Sequence, residues 1–185
     1  FGGLDVNLPF SRTWWIEPGK ILGGRYPGTQ DPIESRRMLD ALLAMGVCVF
    51  VNLQQADELG RGGRPFPDYR PAVTELAQAR GVQVRFHRFP IPDLSIPSRQ
   101  TMTEIQSALR QAVAAGELAY VHCWGGHGRT GTVAGCWLVA GGASLTEALR
   151  LMRERRSHDA HLAGESAPQT DEQRRFIQDW HAGTG

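Results

Sequence analysis

A glycine-rich turn between two apolar runs is the feature that most constrains the fold of this chain. The run before the turn, Leu118 to Val121, has the length of a short buried strand, and the run from Thr130 to Ala140 suits a buried helix. A strand, a turn and a helix in succession form the unit from which parallel sheets are built. Backbone N–H groups in such a turn converge at the start of the helix and can bind an anion there. The sequence therefore predicts an anion-binding turn at the carboxyl end of a strand.

Strands and helices also alternate along the rest of the chain. Predicted strands cover 14–16 and 20–22 (a hairpin with a Pro-Gly turn), 47–53, 82–89 and 118–121. Predicted helices cover 32–45, 71–80, 98–115 and 130–140, followed by a helix capped by Ser144 and a last helix after Pro168 that ends near Trp180. This alternation predicts a single α/β domain over 1–185, with its core at about 14–181. Its central sheet is expected to be mostly parallel, with four or five strands flanked by helices.

Composition restricts the partners and the compartment. Twenty basic and 19 acidic side chains give a formal charge of +1, so no global field favours nucleic acid. No apolar stretch approaches the roughly 20 residues that a membrane-spanning helix needs. Three cysteines, an odd and sparse set, fit a reducing compartment, and we expect a cytoplasmic monomer. The chain starts at Phe1 without a Met, so we interpret it as a trimmed domain. A targeting segment that has been removed stays an open alternative.

The turn itself, HCWGGHGRTG over 122–131, has the composition of a phosphate cradle with a nucleophile inside it. Its glycines permit the unusual φ angles that let successive N–H groups curl around an anion. Arg129 adds a planar fork that can grip two phosphate oxygens, and the same positive groups favour the thiolate of Cys123. The residues predicted to bind phosphate are Trp124, Gly125, Gly126, His127, Gly128 and Arg129.

The segment from His122 to Thr130 matches H-C-x5-R-[ST], the signature of the cysteine-dependent protein tyrosine phosphatase superfamily. From roughly Trp15 to Trp180 the chain resembles the compact dual-specificity-like members. The resemblance implies that Cys123 is the nucleophile of a phosphocysteine intermediate and that Arg129 stabilises the transition state. It also implies that Thr130 eases the departure of the sulfur, that His122 hydrogen-bonds the backbone behind the loop, and that no metal or other cofactor takes part.

Phosphoryl transfer to sulfur also needs a proton donor for the leaving oxygen. Asp93 is the candidate, because it lies in a loop stiffened by three prolines, 30 residues before Cys123, where the resemblance places the general acid. Some members of the superfamily use a late glutamine to position the hydrolytic water, and Gln173 is the candidate for that role. Asp57 and Glu58 follow the strand 47–53 at another sheet end and could reach the site, where they are the next candidates for the acid, but a solvated loop is the favoured interpretation. Arg61 and Arg64 could recruit an anionic substrate at the rim.

Several alternatives stay open at this point. Trp124 could pack beneath the rim or form a wall for an aromatic substrate, and His127 could be a second positive charge or a solvent-facing side chain. His158 and His161 are expected at the surface. A zinc site from His122, Cys123, His127 and His87 is disfavoured, because Arg129 would oppose the cation and no second ligand pair has metal-site spacing.

The expected function is hydrolysis of phosphomonoesters, with phosphotyrosine in proteins as the leading substrate and phosphoserine or phosphothreonine as possible additions. A phosphoinositide, a nucleotide or another small phosphate is the alternative substrate for the same chemistry. A phosphate-binding module without turnover is the third hypothesis, which the presence of nucleophile, arginine, hydroxyl and candidate acid weakens.

Overall fold

The fold is described from a computed structural model, which covers residues 7–180. The strands are β1 (Thr13–Glu17), β2 (Ile21–Gly24), β3 (Val47–Asn52), β4 (Arg85–Arg88) and β5 (Leu118–His122). The helices are α1 (Pro32–Ala44), α2 (Arg70–Ala79), α3 (Arg99–Ala114), α4 (Arg129–Ala140), α5 (Leu145–Arg156), α6 (Ala160–Ala163) and α7 (Asp171–Gln178), with one 3-10 turn at Arg61–Gly63. No helix within 7–180 combines the length and apolarity that crossing a membrane requires.

The five strands form one sheet in the order β1-β2-β5-β3-β4. β1 and β2 pair antiparallel as a hairpin, and the pairs β2–β5, β5–β3 and β3–β4 are parallel. The prediction of an α/β fold with a mostly parallel sheet of four or five strands is therefore confirmed. Because β2, β3, β4 and β5 run in the same direction, the loops that follow them all start from one edge of the sheet.

Both faces of the sheet are covered by helices. Along β3, Val49 and Val51 pack into a core with residues of α3, α4 and α7, whereas Phe50 packs into a second core with residues of α1 and α2. This alternation follows from the two-residue period of a strand, which sends successive side chains to opposite faces. Val47 packs into the same core as Phe50, because the pairing register with β5 shifts between Val47 and Val49. The sheet is thus buried on both sides, and its ligand-binding edge is the one left accessible.

Local capping signals account for most helix starts. The Asp31 carboxylate accepts from the N–H of Ile33 at 2.8 Å. The Ser144 hydroxyl accepts from the N–H of Glu147 at 3.2 Å, which confirms the predicted cap. The last helix begins at Asp171 rather than directly after Pro168, because Thr170 supplies its N-cap. β4 is shorter than the predicted strand 82–89, since this edge strand pairs with β3 through four residues only.

A buried hydrogen bond links the end of β5 to the start of α2. The Nδ1 atom of His122 lies 3.2 Å from the carbonyl oxygen of Cys123, and Nε2 lies 2.7 Å from the Tyr69 hydroxyl. Burial lowers the pKa of His122 to about 3, so the ring is neutral at pH 7. A carbonyl can only accept, so Nδ1 carries the proton and Nε2 accepts the Tyr69 hydroxyl proton. The predicted hydrogen bond from His122 to the loop backbone is present.

This geometry predicts that Tyr69→Phe lowers the free energy of unfolding by about 1–3 kcal/mol, because a buried ring nitrogen loses its partner. Tyr26→Phe is the matched control, since the Tyr26 hydroxyl is also buried but has no hydrogen-bond partner among the described residues. Urea unfolding of the three proteins measures both effects. A loss in the Tyr26 variant equal to that in the Tyr69 variant would contradict this account.

Candidate active site

A cavity of about 480 Å³ opens where the loops leave the carboxyl ends of β2, β3, β4 and β5. The loop after β5 forms much of its wall, and five of the six residues predicted to bind phosphate line it. These are Trp124, Gly125, His127, Gly128 and Arg129. The sixth, Gly126, lies buried behind the wall. The cavity is therefore built around the glycine-rich turn.

Cys123 lies at this cavity with only 3% of its surface exposed. Its Sγ atom accepts a hydrogen bond from the Thr130 hydroxyl at 3.1 Å and from the N–H of Gly126 at 3.4 Å. Two donors that converge on one sulfur stabilise negative charge on it. The sequence order Cys-x5-Arg-Thr thus places the hydroxyl of Thr130, the second residue of α4, against the sulfur of Cys123, as the signature predicts.

Gly126 allows the turn to close. Its φ of +83° is left-handed, and a Cβ atom at this position would lie 2.6 Å from the backbone nitrogen of Arg25. Only glycine satisfies both conditions. The Trp14 indole N–H donates to the Gly126 carbonyl at 3.1 Å and fixes the orientation of this peptide. The turn is therefore held by buried partners from β1 and from the residue after β2.

Arg129 is the first residue of α4, and its side chain is 2% exposed. Its Nη1 atom donates to Glu58 Oε2 at 2.6 Å and to the Ile91 carbonyl at 2.9 Å, while Nη2 donates to Glu58 Oε1 at 2.7 Å. Asp93 Oδ1 lies 3.0 Å from Nη2. Burial disfavours the charged guanidinium, but the bonds to Glu58 outweigh it and raise the pKa of Arg129.

The expectation that Glu58 lies in a solvated loop is wrong. Its side chain is 9% exposed and grips both terminal nitrogens of Arg129, and Gln54 Nε2 donates to its Oε1 at 3.1 Å. Burial tends to raise the pKa of Glu58, but the hydrogen bonds and the charge of Arg129 leave it lowered. The neighbouring Asp57 stays exposed and does not line the cavity.

Asp93 reaches the cavity from the loop between β4 and α3. Its side chain is 47% exposed, so one oxygen meets Arg129 while the carboxylate still faces solvent. The loop is fixed on either side of Asp93, because the Ile91 carbonyl accepts from Arg129 and the Ser95 carbonyl accepts from Gln173 Nε2 at 3.1 Å. The predicted acid and the predicted arginine are therefore in direct contact.

Gln173 does not line the cavity, so its predicted place beside the reacting water is wrong. The side chain is buried, and its oxygen accepts from the backbone N–H groups of Gln169 at 2.9 Å and Thr170 at 3.1 Å. Together with the Thr170 hydroxyl it forms the capping box of α7. The glutamine that lines the cavity is Gln169, four residues earlier.

His127 is neither solvent-facing nor a fixed cation. Its side chain is 16% exposed, and Nε2 lies 3.8 Å from Glu165 Oε2. Burial lowers the pKa of His127 despite the nearby Glu165, so the ring is neutral at pH 7. Trp124 packs edge-to-face against Phe66, with ring centroids 5.7 Å apart, and thereby forms part of the wall.

The remaining predicted residues divide. Arg61 lines the cavity and Arg64 does not, while the exposed His161, expected only at the surface, lines it as well. Arg12 and Arg25 were not among the predicted site residues. Arg25 directly follows the carboxyl end of β2, and that position is a signal the sequence carried. Within 7–180, no three or more His, Cys, Asp or Glu side chains form a group that could hold a metal.

Comparisons with known proteins agree with this geometry. Residues 10–177 match the family described as "PTP-SAK: Swiss Army Knife protein, DSP-PTPase phosphatase domain". The chain is 34% identical over 114 residues to the Arabidopsis thaliana phosphatidylinositol 3,4,5-trisphosphate 3-phosphatase and protein-tyrosine-phosphatase PTEN1, which covers 60% of this chain and 26% of that protein. It is 26% identical over 135 residues to the Mus musculus protein tyrosine phosphatase domain-containing protein 1, covering 72% of this chain and 18% of that protein.

The chain thus spans about a quarter or less of these two relatives. A solved structure is similar over nearly its whole length: Tk-PTP in its active form has a TM-score of 0.66 and 28% identity, with 91% of this chain and 95% of that chain covered. Family match, fold and signature agree, and the chain belongs to the cysteine-dependent protein tyrosine phosphatase superfamily, among its compact dual-specificity-like phosphatases.

Proposed function

We propose that this protein hydrolyses phosphomonoesters through a phosphocysteine intermediate on Cys123. The observation that carries the proposal is the meeting of three groups in one cavity. The Cys123 sulfur accepts two hydrogen bonds, and Asp93 Oδ1 lies 3.0 Å from the buried guanidinium of Arg129, which follows Cys123 by six residues. Nucleophile, phosphate ligand and proton donor are the parts that phosphoryl transfer to sulfur requires.

In the first step, the Cys123 thiolate attacks phosphorus, an S–P bond forms, and the P–O bond to the leaving group breaks. Asp93 in its protonated form donates a proton to the departing oxygen. In the second step, water attacks the phosphocysteine and the S–P bond breaks. Asp93 accepts the proton of that water, and the Thr130 hydroxyl stabilises the departing thiolate. Gln169 is the cavity residue suited to orienting the water.

Arg129 contributes through the geometry of its five N–H donors. Glu58 and the Ile91 carbonyl occupy both donors of Nη1, Glu58 also accepts from Nη2, and Asp93 Oδ1 lies 3.0 Å from Nη2 as an ion pair. Nε has no partner within 7–180. A phosphoryl group that binds the Nε–Nη2 edge therefore replaces Asp93 on Nη2 and releases that carboxylate toward the leaving oxygen.

We propose two classes of substrate for this site. Phosphotyrosine in proteins, with phosphoserine or phosphothreonine in addition, follows from the signature and from the family. A phosphoinositide or another small phosphate is the second candidate. It is favoured by a specific observation, the arginines 12, 25 and 61 that line the cavity beside the catalytic Arg129. The Arabidopsis relative carries both activities in its name.

Two substitutions separate binding from chemistry. Cys123→Ser should abolish turnover of para-nitrophenyl phosphate yet still bind inorganic phosphate, because the loop N–H groups and Arg129 survive. Arg129→Lys should lose both, since an ammonium cannot reproduce a two-pronged contact and cannot hold Glu58 and Ile91 together. Steady-state assays and calorimetric phosphate titration measure the two properties. Residual turnover in Cys123→Ser comparable to that of the unmodified protein would disprove the nucleophile assignment.

The proposed acid makes a prediction that depends on the leaving group. Asp93→Asn should slow the hydrolysis of an alkyl phosphate by about 100-fold or more, the scale of general acid catalysis. Hydrolysis of para-nitrophenyl phosphate should suffer less, because its phenoxide leaves without a proton. Asp57→Asn is the matched control, since Asp57 is exposed and outside the cavity. Equal losses for the alkyl and the aryl substrate would show that Asp93 is not the acid.

Glu58 is proposed as a positioning residue that acts through Arg129. Glu58→Gln keeps the shape but loses the charge and one of the two short contacts, so kcat should fall by about tenfold to 100-fold and the Kd for phosphate should rise. Glu75→Gln is the control, because Glu75 forms an exposed ion pair with Arg36 and is expected to have almost no effect. A fall in thermal stability with unchanged kcat and unchanged phosphate affinity would limit Glu58 to a structural role.

A further inference from the structure

We propose that the cavity contains a second anion site, formed by Arg12 and Arg25, and that the favoured substrate carries at least two phosphate groups on a compact scaffold. The inference rests on the proposed hydrolysis at Cys123, which would bind the first phosphate. It names the substrate class for that activity, a class that a singly phosphorylated tyrosine does not belong to.

The two arginines lie next to each other. The last pair of the β1–β2 ladder is Thr13 with Gly24, and one step beyond it the N–H of Arg25 donates to the Arg12 carbonyl at 3.1 Å. Within 7–180, neither guanidinium forms an ion pair with a carboxylate, yet both line the cavity that holds Cys123. An anion in this part of the cavity would supply the missing counter-charge.

The side chain of Arg25 is fixed by contacts with the protein and is not free in solvent. Its guanidinium carbon lies 5.8 Å from the centre of the Phe10 ring, and Nη2 contacts Met38 Sδ at 3.4 Å. Its Nε atom is buried and has no hydrogen-bond partner within the described residues. A buried donor without a partner is costly, and a positive charge without a counter-ion adds to that cost. The guanidinium of Arg25 is therefore fixed in position, but no carboxylate of the described residues compensates its charge.

Arg12 is fixed through its backbone. Its φ of +63° is left-handed, and its N–H donates to Asp159 Oδ2 at 2.6 Å. The other oxygen of Asp159 accepts from the N–H groups of His161 at 2.9 Å and Leu162 at 3.1 Å. One carboxylate thus brings Arg12 and His161 to the same rim, at the expense of a backbone conformation that is strained for a residue with a side chain.

His161 extends the donor set. Arg12 Nη2 lies 3.5 Å from His161 Nδ1. His161 lines the same cavity, and a ring N–H of its imidazole is a further donor for an anion there.

The charges of the cavity favour a second phosphate. Two carboxylates line it, Asp93 beside Arg129 and Glu165 at 3.8 Å from the neutral His127, whereas four arginines, residues 12, 25, 61 and 129, line the same cavity. Arg12 and Arg25 are left without a carboxylate, and the arginine fork matches phosphate oxygens in two-pronged contacts. The volume of about 480 Å³ suits one small ligand. Both phosphates of a compact polyphosphate could occupy it together.

The test compares kcat/KM for a free inositol trisphosphate with that for para-nitrophenyl phosphate, which carries one phosphate. Arg25→Met keeps the packing against Phe10 and Met38 but removes the charge, and Arg12→Asn removes a charge with a residue that accepts positive φ. Each should lower the ratio of the two kcat/KM values by about tenfold or more, the loss of one charged hydrogen-bonded contact. Arg110→Met, an exposed arginine of α3 outside the cavity, should leave the ratio unchanged.

Parallel assays identify the source of the second phosphate. In these assays, phosphatidylinositol bisphosphate in phosphatidylcholine vesicles replaces the free inositol trisphosphate. A loss of kcat/KM in the Arg12 and Arg25 variants with either substrate supports the second anion site. The substrate with the higher kcat/KM for the unmodified protein identifies the source, lipid headgroup or free inositol phosphate. An unchanged ratio in both variants would overturn the inference, as would an equal loss on a singly phosphorylated tyrosyl peptide. Failure of the proposed function is distinct from both, because the unmodified protein would then turn over no phosphate at all.

Discussion

The structure depends on the burial of one positive charge, the guanidinium of Arg129. A charge that is 2% exposed must be compensated, and the compensation comes from two loops that leave neighbouring strands. Glu58 arrives after β3, and Ile91 and Asp93 arrive after β4. Because Arg129 begins α4 directly after the turn of β5, these contacts draw the loops of three parallel strands to one point. Arg129, the residue proposed for catalysis, therefore also holds together the loops at this edge of the sheet.

The turn that precedes Arg129 is also fixed by hydrogen bonds, in this case from buried aromatic side chains. His122 is held between Tyr69 and the Cys123 carbonyl, and Trp14 holds the Gly126 carbonyl. Gly126 fits so closely against the residues after β2 that a Cβ atom is excluded. Donors to the sulfur and to an incoming phosphate are thus positioned before any substrate binds, and such preorganisation makes electrostatic stabilisation effective in a buried site.

Local sequence signals predicted the fold and the cysteine loop, because strand runs, caps and the positive-φ glycine depend on near neighbours. Glu58 could not be placed in this way, since its contact with Arg129 depends on the path of a loop 71 residues away in sequence. For Gln173, the capping-box pattern from Thr170 was visible and would have indicated a structural role. Arg12 and Arg25 come together only through the register of the β1–β2 hairpin, which the sequence does not specify residue by residue.

The central claim is that Cys123 carries the phosphoryl group during turnover. Rapid acid quenching of the protein during hydrolysis of para-nitrophenyl phosphate, followed by proteolysis and peptide mass spectrometry, tests it directly. The account predicts one added phosphoryl group on the peptide that contains Cys123, with the group on sulfur, and none in the Cys123→Ser protein. A phosphoryl group on His127 or His122 instead, or continued turnover with no covalent adduct at any quench time, would contradict it.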